Sequence, residues 1–297
     1  MTPADAGAQL GWNLADDLRQ LWAFHFMVNA FRAGTIVAVA AGLIGWFVVL
    51  RRQSFAGHTL ALVGFPGAAG AVWLGFSATA GFFGFCLAAA LGIAALPRAA
   101  GSGYGQESAG IGTVQAFALA CGFLFVGRYR GFLNGVSALL FGSFLGVTDR
   151  QVGVLLAASA VALLMLVLIA RPLLFASVDP DVAAARGVPV RALSTAFLLL
   201  LGVAVAEVSQ ITGTLLVFAL LVVPAATAQQ LTARPLASLA LTVVIGLAVT
   251  WLGLTVAFYS PYPIGFFITS FAFAAYLLAH AAGRRRAGTR TASGRLA

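Results

Sequence analysis

Residues 151–170 read QVGVLLAASAVALLMLVLIA and are bounded by Arg150 and Arg171. Twenty helical residues rise about 30 Å, the thickness of a bilayer's hydrocarbon core, and none of these twenty is charged. Comparable apolar runs fall at 27–50, 58–76, 79–97, 109–127, 192–210, 212–230, 236–258 and 264–282. Together they predict an all-α polytopic membrane bundle of about nine transmembrane helices. A barrel would show short alternating segments instead of continuous runs. Composition agrees: 61% of the 297 residues are hydrophobic and 8% charged, against roughly 25% charged in a soluble chain that must wet its surface.

The net charge of +9 does not point to nucleic acid, because its distribution is that of a topology signal. There is no lysine, and the 17 basic residues are all arginines, placed mostly at the ends of apolar runs or in the last residues. Nine crossings put the termini on opposite sides. A cytoplasmic C-terminus places Arg51, Arg52, Arg98, Arg171, Arg186, Arg191, Arg234, Arg284, Arg285, Arg286, Arg290 and Arg295 inside. Arg19, Arg128, Arg130 and Arg150 then lie outside, with Arg32 ambiguous, so the basic bias favours this orientation. Three regions follow: an exposed N-terminal arm at 1–26, a membrane domain at 27–282 and a basic cytoplasmic tail at 283–297. Leu133 to Gly146 is too short to cross and too apolar for an ordinary loop, and is expected as a half-helix shielded by the bundle. Cys86 and Cys121 are isolated in apolar stretches and suggest small buried hydrophobes.

The longest polar excursion within the membrane domain runs from Ala176 to Arg191 on the inferred cytoplasmic face. Asp179 can cap a helix whose first position is Pro180, Asp181 suits its positive N-terminus, Arg186 lies near its other end and Gly187 can terminate it. The expected product is a short amphipathic helix between two spans, read either as a surface connector or as a docking helix for a cytoplasmic partner.

That segment resembles the cytoplasmic loop of the ABC-3 family of zinc- and manganese-type metal-uptake permeases, through Ser177, Asp179, Pro180, Asp181, Ala184, Gly187, Pro189 and Val190. Gly213 to Ala228, with Pro224 opening Pro-Ala-Ala-Thr-Ala, is similar to the family's other signature, and Glu107 to Gly112 to the start of its fourth span. The resemblance covers roughly residues 30–280. It implies a transport subunit without catalytic residues, working as one of two permease copies in a bacterial-type inner membrane. Its implied partners are two copies of a cytoplasmic ATP-binding subunit and an extracytoplasmic metal-binding protein. A chain without lysine cannot supply a phosphate-binding loop lysine, so ATP hydrolysis is expected in a separate polypeptide. ATPase coupling would then fall to Asp179, Pro180, Asp181, Arg186 and Gly187.

Inside the membrane the sequence departs from the family pattern. After Arg51-Arg52 the family usually carries Gly-Asp, then Ser-His, then Pro-Gly. Here Gly57 precedes His58, the Ser-His positions are Ala61 and Leu62, and Pro66-Gly67 remain. His58 either receives the ion or hydrogen-bonds across helices. Glu207 is costly inside an apolar span unless it faces a partner or an aqueous cavity. It therefore either bonds to Ser209, Gln210 or a neighbouring span, or lines the path together with Gln210. His25 is a candidate for the entrance, whereas His280 suits the interface. Pro66, Gly67, Gly213 and Pro224 are expected structural positions. No permanently bound cofactor is expected. Zinc is the leading cargo, because imidazole nitrogen suits it and intramembrane carboxylates are scarce. Manganese or iron is the alternative, and a proton-coupled secondary transporter a more distant one.

Overall fold

The computed structural model describes residues 20–96, 104–128 and 146–293, the side chains at 104–107, 210–212, 215 and beyond 284 excepted. The helices are α1 (His25–Leu50), α2 (Ser54–Trp73), α3 (Ala78–Ala95), α4 (Tyr104–Arg128), α5 (Asp149–Val178), α6 (Pro180–Ala185) and α7 (Val190–Thr212). A 3-10 turn (Thr214–Leu216) then leads to α8 (Val217–Leu221), α9 (Val223–Leu231), α10 (Pro235–Phe258) and α11 (Ile264–Ser293). Among the described residues, eight helices are long and apolar enough to cross a membrane: α1 to α5, α7, α10 and α11. The protein is thus an all-α polytopic membrane bundle. Residues 1–19 of the expected arm at 1–26, and residues 133–145 of the expected half-helix, lie outside the described residues.

Among the described residues, one of the nine expected crossings is not a single long helix. The run 212–230 is divided into the 3-10 turn, α8 and α9. Gly213 causes the first break, with φ 79° and ψ 158°, a region essentially reserved for glycine. Pro224 causes the second, since it lacks the N–H that would continue the ladder and so sits in the first turn of a new helix. The divided segment still joins opposite ends of the bundle. Leu216 lies against Gly265 at the start of α11, and Gln229 Nε2 donates to the Trp46 carbonyl near the end of α1.

Turn chemistry sets the other reversals. At the end of α1 the Arg52 N–H donates to Val49 O at 3.1 Å and the Gln53 N–H to Val48 O at 2.9 Å, closing a Schellman-type cap. Its left-handed residue is Arg52, at φ 57°, where glycine is usual. Between α2 and α3 the same role falls to Gly75 at φ 84°, after which the Ser77 hydroxyl accepts from the Ala80 N–H. Thr148 and Gln151 form a capping box at the start of α5.

Helices of a membrane bundle attract one another mainly by close packing, because lipid is as apolar as their side chains. Small residues supply the approach. A β-carbon at Gly67 would meet Phe85 and the Gly81 carbonyl, one at Gly64 would meet the Phe82 ring, and one at Gly45 would meet the Leu221 carbonyl. Pro66, inside α2, rests on Gly122 of α4. Large apolar side chains instead point outward, among them Phe117 and Phe123 on α4, Val167 and Leu168 on α5, and Leu278 on α11.

The bundle has two distinct ends. His25 of α1 meets Asp149 of α5 at one, and Arg51 of α1 meets Ser177 and Ser194 of α5 and α7 at the other.

Candidate functional site

Glu207 lies on α7 five residues before that helix ends, and it is 1% exposed. The Ser159 hydroxyl on α5 donates to its Oε2 at 2.6 Å. Its Oε1 is buried and has no hydrogen-bond partner among the described residues. Of the partners that one sequence reading anticipated, the neighbouring span supplies this bond and Ser209 does not. Ser209 turns back to donate to the Val205 carbonyl at 2.7 Å, and the Gln210 side chain lies outside the described residues. A buried carboxyl oxygen without a donor is the kind of group a cation or a proton can serve. Ser159 was not singled out in the sequence, where it is one hydroxyl in an otherwise aliphatic run.

His58 stands on the second turn of α2, partly buried, with its ring edge-on to Phe218 of α8 at 6.2 Å between centroids. Its neighbour Gly57 faces Leu221 of α8 and Leu201 of α7. Leu201 and Glu207 are six residues apart on α7, about 9 Å along that axis, so His58 and Glu207 stand at different levels of the bundle. Beside His58, Thr59 is fully buried and donates to Gln115 Oε1 of α4 at 2.8 Å, a polar link the sequence reading missed. The family's Ser-His positions are occupied by the apolar Ala61, which is buried, and Leu62, which is partly buried.

His25 begins α1 and is well exposed. Its Nε2 lies 2.9 Å from Asp149 Oδ2, and Asn29 Nδ2 lies 3.5 Å from the same nitrogen while donating to the Val147 carbonyl at 3.3 Å. His280 stacks on Tyr276 near the far end of α11. Among the described residues no group of three or more His, Cys, Asp or Glu side chains converges on one point. Cys86 is buried with its thiol directed at the Leu60 carbonyl, and Cys121 is a partly buried free thiol.

At the Arg51 end the polar excursion folds into α6. Asp179 Oδ1 accepts from the Val182 N–H at 3.0 Å, Pro180 occupies the first turn and Asp181 follows it. Arg186 caps the other end, and Gly187, at φ 81°, lets the Val188 N–H return to Ala183 O at 3.0 Å. Ala183 is fully buried, whereas Asp179, Pro180, Asp181, Val182, Arg186 and Gly187 are exposed. One alanine anchors the helix, and the surface around it is exposed.

A protein-family model described as "ABC 3 transport family" matches residues 23–283. The manganese transport system membrane protein MntC of Halalkalibacterium halodurans is 30% identical over 234 residues, covering 79% of this chain and 79% of the relative. The chelated iron transport system membrane protein YfeC of Yersinia pestis is 30% identical over 242 residues, covering 82% and 81%. Among solved structures, PsaBC from Streptococcus pneumoniae in complex with Fab matches with a TM-score of 0.78 and 27% identity, covering 90% of this chain and 95% of that one.

Proposed function

The chain belongs to the ABC 3 transport family, and we propose that it is the permease subunit of an ATP-driven importer whose cargo is manganese or iron ahead of zinc. As an ABC permease it is a non-catalytic transport subunit. The observation that carries the choice of metal is the pair of relatives named for manganese and chelated iron, each matched over about four fifths of both chains. They favour the alternative cargo over the zinc expected from His58. The chemistry of Glu207 agrees, since carboxylate oxygen suits manganese better than it suits softer ions.

In this reading the ion passes Glu207 and His58 in turn, rather than resting in a cage. Sparse ligands suit conduction, because binding strong enough to store an ion would also prevent its release. The Arg51 end faces the cytoplasm, α6 docks on an ATPase subunit through Asp179, Pro180, Asp181, Arg186 and Gly187, and a second permease copy completes the pathway. His25 and Asp149 then face the extracytoplasmic protein that delivers the metal.

The test is ATP-dependent uptake of radiolabelled manganese, iron and zinc into proteoliposomes containing this chain, its ATPase and its binding protein. Uptake of manganese or iron above zinc supports the proposal. Zinc transported best would restore the original cargo, and transport of none of the three would overturn the metal-importer reading. Uptake by the chain alone, driven by an imposed proton gradient, would assign it to secondary transport instead.

A further inference from the structure

Arg51 is the C-cap residue of α1, and the sequence reading used it as a topology marker and as the start of the family pattern. Its Nη1 donates to Ser177 Oγ at 3.0 Å, and its Nη2 donates to Ser194 Oγ at 2.7 Å. The guanidinium carbon also lies 5.5 Å from the centroid of the Phe197 ring, one turn along α7 from Ser194. Ser177 precedes α6 and Ser194 follows it. The two arms of one guanidinium therefore join the two stems from which the docking helix projects.

What Arg51 is attached to matters equally. Arg52, the next residue, is held in the left-handed region by the cap at the end of α1, and α2 starts at Ser54. The reversal leaves no slack between the guanidinium and α2. His58 lies one turn into that helix, against Phe218 of α8. A displacement of α6 that moves Ser177 or Ser194 must either break the two hydrogen bonds or carry the α1–α2 junction with it.

We propose that Arg51 is a positioning residue for energy coupling: it transmits movement of the docking helix to the α1–α2 junction, and through it to His58. The inference rests on the permease reading above and adds a residue to it. Arginine suits the task because its planar fork fixes two acceptors at once, whereas lysine is a flexible point charge whose donors are not held in a fork. Ser177 and Ser194 supply those acceptors, and Phe197 holds the plane of the fork.

The test measures metal transported per ATP hydrolysed by the complete complex in proteoliposomes, for the wild type, Arg51→Lys, Arg51→Gln and Ser177→Ala with Ser194→Ala. The expected result is a fall in this ratio of at least fivefold in both Arg51 variants, with ATP turnover and ATPase co-purification within twofold of wild type. The paired serine variant removes no charge and should lower the ratio in the same direction. Combined with Arg51→Gln it should add little, because both changes cut one connection. A purely structural role predicts that uptake and ATP turnover fall together with the amount of folded protein, leaving the ratio unchanged. That outcome in the paired serine variant overturns the inference even if the Arg51 variants fold poorly. A wild-type complex that moves no metal with ATP refutes the permease reading itself, whereas a coupled wild type whose ratio is insensitive to these changes refutes only the role of Arg51.

Discussion

Replacing Glu207 by glutamine separates a transport role from a packing role, because the structure defines what the side chain does for the fold. One oxygen receives the Ser159 hydroxyl at 2.6 Å and the other has no partner among the described residues. A hydrogen bond to an ionised group contributes about 1.5–3 kcal/mol and a neutral one about 1 kcal/mol. Glutamine keeps the volume and an acceptor for Ser159, so Glu207→Gln should lower stability by about 1–2 kcal/mol and leave most of the protein folded. Ser159→Ala, which leaves the carboxyl group without its donor, should cost about 1.5–3 kcal/mol. If the free carboxylate oxygen receives the passing ion, Glu207→Gln should slow metal uptake at least tenfold, equivalent to about 1.4 kcal/mol on the translocation barrier. Ser159→Ala should preserve more uptake per folded molecule, since the carboxylate remains. The assay is the initial rate of manganese uptake normalised to correctly folded protein, with thermal unfolding in detergent measured in parallel. Full normalised uptake in Glu207→Gln would refute a role for this carboxylate in the path, whatever its effect on stability.

The remaining predictions concern the turns and the docking helix. Gly213→Ala forces a β-carbon into a glycine-only conformation and should cost about 1–3 kcal/mol, read as a lower unfolding temperature in the same detergent. Arg52→Gly, at φ 57°, should stabilise by about 1 kcal/mol through relief of left-handed strain, and a neutral or destabilising result would show that its side-chain contacts outweigh the strain. Asp179→Ala should cost about 0.5–2 kcal/mol locally through loss of the cap, detectable as faster hydrogen exchange at the Val182 amide. Joined to Arg186→Glu, it should leave the chain folded and inserted while uncoupling uptake from ATP hydrolysis, and normal uptake in that pair would remove α6 from the coupling route.

The parts of this fold that could be read from sequence are those in which one stretch determines its own structure. Lipid offers no partner to the backbone, so an uncharged run such as 151–170 must be helical, and the order Asp179-Pro180 to Gly187 carries both caps of α6 within nine residues. The division of 212–230 was only half visible. Gly213 and Pro224 were noted, but hydrophobicity alone cannot distinguish a continuous helix from three pieces of equal apolarity. The contacts of Glu207 with Ser159, Arg51 with Ser177 and Ser194, and Thr59 with Gln115 were not legible. Each joins residues at least 48 positions apart, and their meeting depends on helix rotation and depth, which periodicity cannot set when every face is apolar. The candidate path was therefore visible as residue types and invisible as geometry. His58 and Glu207 could be named, but not their separation in depth.

The contact of Gly45 with the Leu221 carbonyl restricts how such a machine can move. Two helices separated by a layer of long side chains slide past each other as those side chains change rotamer, at little expense. Between α1 and α8 that layer is missing, because glycine lets main chain rest directly on main chain. Sliding there would drive backbone against backbone, and parting would open a gap that hydrocarbon must fill. At this contact the two helices therefore move as one body, and any bend of the α8 segment relative to α1 falls away from it, on the side of Gly213.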